Sequence, residues 1–117
     1  MPKDPKFDLE ERTAKFGEEV IKFARKIPKD NVTRDVITQF VNAGTAIGAL
    51  YCEADDAESK KDFKHKIGIC KKEARETKYW LRIIVIACSD LKDGARKLWV
   101  EAKELHLIFN TIYRKVS

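Results

Sequence analysis

The chain is predicted to be all-α, an antiparallel up-down-up-down four-helix bundle, and three observations carry that reading. Apolar residues recur at steps of three and four through four successive segments. The joints between those segments are only a few residues long, which makes sequential helices antiparallel neighbours. Glycine (5) and proline (3) are scarce while Lys, Glu and Ala are common, a composition that favours long helices over a turn-rich β fold.

The first helix, about 8–27, opens at Asp8, whose side chain can accept from first-turn amides, with Glu11 three residues on as a capping-box partner. Phe7 stands at the staple position. Leu9, Phe16, Val20, Phe23, Ala24 and Ile27 form its apolar face, and Pro28 stops it. The second helix, about 33–55, is capped by Asn31 or Thr33, and Val36, Phe40, Ala43, Ile47, Leu50 and Ala54 form its seam. Gly44 and Gly48 lie one turn apart beside that seam. Each costs about 1 kcal/mol relative to alanine in a helix, so the pair predicts close backbone approach by a neighbour.

The third helix, about 60–88, starts at Ser59 with Asp62. Its seam is Phe63, Ile67, Cys70, Ala74, Leu81, Ile84 and Cys88, with Thr77 in the polar slot. Its end, Trp80 to Ala87, is apolar nearly all round and rich in β-branched residues, so read locally it resembles a buried strand. No second strong strand exists to pair with it, and the segment is taken as helix buried on two sides, which implies another subunit. The fourth helix, about 91–115, is capped by Ser89 or Asp90. Leu91, Ala95, Leu98, Ala102, Leu105, Phe109, Ile112 and Val116 keep the spacing, and Trp99, Ile108, His106 and Tyr113 widen the face. That surplus again points to self-association.

At 117 residues and 13.5 kDa the chain suits one domain, 1–117, with one core. No apolar run approaches the roughly 20 residues of a membrane span. The N-terminal segment lacks a secretory pattern, so a cytoplasmic protein without membrane contact is expected. Cys52, Cys70 and Cys88 are odd in number; Cys70 and Cys88 lie roughly 27 Å apart on one helix and cannot pair. Small buried thiols in a reducing compartment are expected.

Chemistry is hard to find. The five glycines stand at 17, 44, 48, 68 and 94, none in a phosphate loop. A di-metal bundle needs Glu-x-x-His pairs on two helices, and Asp62-x-x-His65 and Glu104-x-His106 do not supply them. Cys70 and Cys88 sit on a seam, where a nucleophile has no access. Glu53 and Glu73 suit ion pairs with Arg12 or Arg75 better than acid–base work. No catalytic residue, metal site or cofactor is expected, and the chain reads as a non-enzyme.

Charge is more informative. The net +5 is modest, but from Lys60 to Arg82 nine Lys/Arg face three acids, so this segment is +6 and the remainder −1. One position beyond the seam, Lys64, Lys71, Arg75, Lys78 and Arg82 form a row of cations that suits a phosphate backbone, each contact releasing counterions. Tyr79 and Trp80 offer stacking surface near one end. The competing reading is a solvated face, neutralised by Glu73, Glu76 and neighbouring helices.

The chain also resembles a known family. Phe7-Asp8-Leu9-Glu10-Glu11-Arg12-Thr13, Ala46-Ile47-Gly48-Ala49 running into Tyr51-Cys52-Glu53-Ala54, Ser59-Lys60-Lys61-Asp62-Phe63, and above all Lys72-Glu73-Ala74-Arg75-Glu76-Thr77-Lys78-Tyr79-Trp80-Leu81 are similar to the small bacterial four-helix bundle proteins named for 23S rRNA intervening sequences. The likeness runs from Phe7 to about Ile112. It implies antiparallel bundles assembled as ring-like homopentamers. It also implies kinship with the accessory proteins of diversity-generating retroelements, in which a basic pentamer binds nucleic acid and a partner reverse transcriptase. Two positions depart from the family pattern. Leu50 stands where Asn is common, which puts a polar network there in doubt. Gly94 stands in the first turn of the last helix, where it should loosen that end and little else. The expected function is thus binding of RNA or DNA backbones without base specificity through the five cations; the alternative is a protein–protein scaffold with no nucleic-acid role.

Overall fold

The computed structural model describes residues 8–116. It contains α1 (Leu9–Ala24), α2 (Thr33–Asp55), α3 (Lys60–Ala87) and α4 (Lys92–Lys115), with a 3₁₀ turn at Ser89–Leu91 leading into α4, and no strand among the described residues. Each helix packs on its neighbours in sequence, and α1 reaches α4 to close the bundle. A single apolar cluster draws on all four helices. The long dimension, 44 Å, is close to the roughly 42 Å that the 28 residues of α3 span.

The Asp8 side chain caps α1, accepting from the Glu11 amide at 3.2 Å. Phe7, the expected staple residue, lies outside the described residues. The six predicted apolar positions of this segment are all buried. Thr13 is buried among them, which an apolar count overlooks; its hydroxyl donates to the Leu9 carbonyl at 2.6 Å, so it enters the core satisfied. The α-helix closes at Ala24 rather than 27. Lys26 and Ile27 donate to Phe23 and Ala24, an i to i−3 pattern that tightens the last turn before Pro28.

Neither Asn31 nor Thr33 caps α2. Asp30 does, accepting from the amides of Val32 (2.8 Å) and Thr33 (2.9 Å). Those bonds, Thr33 first and then Val32, hold its carboxyl below the usual range. Thr33 is buried inside the first turn, where its hydroxyl donates to the Pro28 carbonyl at 2.6 Å. Close approach by a neighbour is found at both glycines. A Cβ on Gly44 would lie 2.7 and 2.9 Å from the two Val20 methyls, and one on Gly48 would lie 3.3 Å from the Thr13 carbonyl oxygen.

In α3 the Ser59 hydroxyl accepts from the Asp62 amide at 3.0 Å, and the helix runs unbroken through Trp80–Ala87. Only one side of that end is covered within the chain: Leu81 and Ile84 are buried, while Ile86 is 83% exposed. Neither Ser89 nor Asp90 caps α4; the chain enters it through the 3₁₀ turn, in which the Leu91 amide donates to the Cys88 carbonyl at 3.1 Å. Gly94 has a packing role, because a Cβ there would meet the Phe23 ring at 3.0 Å. Leu50 is half-buried against the core margin.

The α1–α4 contact is the thinnest in the bundle. A cleft of about 800 Å³ lies along it, and a bidentate pair bridges it, with Arg12 Nε and Nη2 each 2.7 Å from Glu101. The expected Arg12 partner, Glu53, instead pairs with Lys66 at 3.0 Å. Cys70 alone of the thiols is buried, Cys52 being exposed and Cys88 half-buried. Burial pushes the Cys70 thiol up to about 12, far from the reactive range.

Candidate nucleic-acid interface

The five cations occupy the flank of α3 that turns toward α4. Helical spacing sets Lys71, Arg75, Lys78 and Arg82 one turn apart, with Lys64 two turns before Lys71. They are not alike. Arg75 and Arg82 are exposed, whereas Lys64, Lys71 and Lys78 are half-buried, their stems laid on the neighbouring helix. Lys64 and Lys71 place their ammonium groups 4.7 and 4.6 Å from the Tyr113 ring centre, and Lys78 lies 5.6 Å from that of Trp99. Lys71 also donates to Asn110 Oδ1 at 3.4 Å.

The basic ridge is therefore a surface of two helices. From α4 it takes Tyr113, Asn110, His106, Lys103 and Trp99, with the Lys103 ammonium 5.7 Å from the Trp99 ring centre. His106 registers the convergence: its pKa is lowered, first by burial and then by repulsion from Lys78, Lys71 and Arg75. Residue spacing on one helix does not reveal these partners. The aromatic positions at 99 and 113 were visible in the sequence only as a widening of the apolar face.

No ion pair among the described residues neutralises the ridge. Ion pairs among the described residues join Arg12 to Glu101, Lys22 to Glu19 and Lys66 to Glu53; none includes any of the five. Glu73, the expected partner of Arg75, is half-buried, and its carboxyl is pushed up by that burial and by Glu76. Glu76 accepts instead from Trp80 Nε1 at 3.2 Å. Of the two residues expected to stack, Tyr79 is 54% exposed and packs edge-on to the half-buried Trp80, ring centres 5.0 Å apart. Cations left unpaired and held against aromatic faces give this surface a positive potential.

The described residues hold no group of three or more His, Cys, Asp or Glu placed to share a metal. No helix among them is long and apolar enough to cross a membrane.

Comparison with known proteins agrees with this architecture. The profile of the 23S rRNA-intervening sequence protein family matches residues 6–111. A solved structure, that of a protein of unknown function from the S23 ribosomal protein family of Bacteroides thetaiotaomicron, superposes with a TM-score of 0.83. It shares 23% identity over 92% of this chain and 99% of that one, a likeness that shows the fold. Neither description names a catalytic activity. No curated protein matches in sequence.

Proposed function

Since the chain belongs to the 23S rRNA-intervening sequence protein family and carries an uncompensated basic face, we propose that it is a non-enzymatic, oligomeric bundle that binds RNA or DNA backbones without base specificity. Lys64, Lys71, Arg75, Lys78 and Arg82 make the phosphate contacts. The single observation that carries the reading is the convergence of these cations on one face, where Lys78, Lys71 and Arg75 together oppose a charge on His106 and none of the five forms an ion pair among the described residues.

Several narrower claims belong to the same proposal. An antiparallel, up-down-up-down order is supported by the short joints, and by a register in which Thr13 faces Gly48 while the later Val20 faces the earlier Gly44. Assembly into a homopentamer rests on the family resemblance and on apolar side chains left in solvent, notably Val100 at 50% and Leu107 at 49%. A cytoplasmic location fits three cysteines with no disulfide. A reverse transcriptase as protein partner rests on the resemblance alone.

The test is binding of a fluorescent RNA or DNA duplex across a salt series. Five phosphate contacts give a slope of about −4.5 in log K against log salt, or roughly 500-fold between 50 and 200 mM. Arg75→Glu with Lys78→Glu is expected to abolish binding while leaving the circular dichroism of the helices intact. Binding that ignores salt, or that survives the double reversal, would overturn the assignment.

The exposed apolar side chains favour a second reading, a scaffold that recruits a protein, with the charges serving solubility. Protein that copurifies with nucleic acid, seen as a raised 260/280 absorbance ratio, supports the first reading; clean rings support the second.

A further inference from the structure

At the Arg82 end of the ridge, α3 and α4 part to leave a groove of about 410 Å³, within the roughly 300–1,000 Å³ range of small-ligand sites. Val85, Ile86 and Trp99 give it apolar walls, and Arg82, Lys92 and Arg96 stand around it. No carboxylate lines it among the described residues. Trp99 is 36% exposed and Ile86 83%, so flat apolar surface lies open to solvent beside three cations. A ligand matched to that combination is planar and apolar on its faces and anionic at its edge.

We propose that this groove receives an unpaired nucleotide, its base against the Trp99 indole and its phosphate between Arg82 and Arg96. The inference rests on the nucleic-acid reading of the ridge and narrows it, since the groove favours single strands, bulges or ends over uniform duplex. In a duplex both base faces are already covered by their neighbours, and only the backbone can be reached. Of the other aromatic groups, Tyr79 is 54% exposed but lies outside the lining of the groove. Two ammonium groups lie over Tyr113, and Trp80 is half-buried and tied to Glu76. Lys78 and Lys103 lie near the Trp99 ring at 5.6 and 5.7 Å. Both ride on long flexible stems that can swing to flanking phosphates as a base enters.

The experiment uses the 117-residue chain with Trp80→Phe, which leaves Trp99 as its sole tryptophan. A ten-nucleotide single strand and a blunt duplex of the same length are titrated in parallel. The single strand is expected to quench Trp99 emission. Stacking on one aromatic ring corresponds to about 5- to 150-fold in affinity. Trp99→Ala should lose that factor for the single strand and weaken duplex binding much less, by only what the loss of the face beside Lys78 costs, whereas Trp99→Phe should retain most of the single-strand affinity. If Trp99→Ala binds both oligonucleotides like the parent, or the single strand binds without touching the emission, the groove assignment falls. Salt-sensitive duplex binding would then leave the ridge standing. Failure of both oligonucleotides to bind sinks ridge and groove together. An emission change that follows protein concentration alone, in step with rising mass, would place Trp99 between copies of the chain and overturn the nucleotide site.

Discussion

His106 is the residue at which charge and packing meet. Burial and three cations of α3, Lys78, Lys71 and Arg75, lower its pKa; on its own helix Lys103 stands one turn back. In the free protein this favours the neutral ring, so its contribution to stability is full above the ordinary histidine pKa and is lost as pH falls through the lowered value. A bound polyanion reverses the balance by cancelling the cations, which raises the pKa and makes binding take up a proton. Nucleic-acid affinity is therefore expected to rise as pH falls through the ordinary histidine value toward the lowered one, by at most about tenfold per pH unit for one linked proton. His106→Gln should flatten that slope. His65, the other histidine, is exposed, and an unchanged slope in the variant would assign the proton elsewhere. The sequence showed His106 only as part of a broad face. The cations opposite it come from residues about thirty positions away, a distance that only folding removes.

At the scale of elements, the spacing of apolar residues was enough to place all four helices, because a three-four repeat is a local property of the chain. Helix ends were read less well. Ser59 and Asp8 cap as expected, but Asp30 displaces Asn31 and Thr33, and the 3₁₀ turn displaces Ser89 and Asp90. A cap depends on the path of the chain before the helix, which composition does not fix. The two glycines of α2 separate intrinsic propensity from packing. Alanine at either site gains about 1 kcal/mol of helix propensity. At Gly44 the new methyl would meet both arms of a stiff, buried valine under 3.0 Å, and overpacking of that kind costs about 1–3 kcal/mol. At Gly48 the nearest contact is 3.3 Å. Denaturant titration is expected to show Gly44→Ala clearly less stable than Gly48→Ala, the latter lying near the parent. Equal stability would mean that α1 and α2 separate freely at Val20.

For the whole molecule, the decisive quantity is apolar surface that the protomer leaves uncovered. The end of α3 was expected to be buried on two sides, and one protomer buries one: Leu81 and Ile84 face inward while Ile86 stays in solvent. With Val100 and Leu107 also exposed, the proposed assembly has material to build on. Light scattering is expected to return the mass of five copies of the 13.5 kDa chain, and Leu107→Lys should lower it without loss of helicity. A monomeric parent would remove the ring from the proposal while leaving the protomer's basic face in place.

The amino-acid order alone determined that the chain is helical, where its seams run and that one helix carries the positive excess, because each follows from neighbours within a few turns. Tertiary structure decided what those charges face. It set Tyr113, Asn110, His106 and Trp99 against the ridge, gave Arg12 to Glu101 and Glu53 to Lys66, and opened a groove beside Trp99. Those outcomes depend on rotation and register between helices, which side-chain packing across the interfaces sets and no repeat along a single helix encodes.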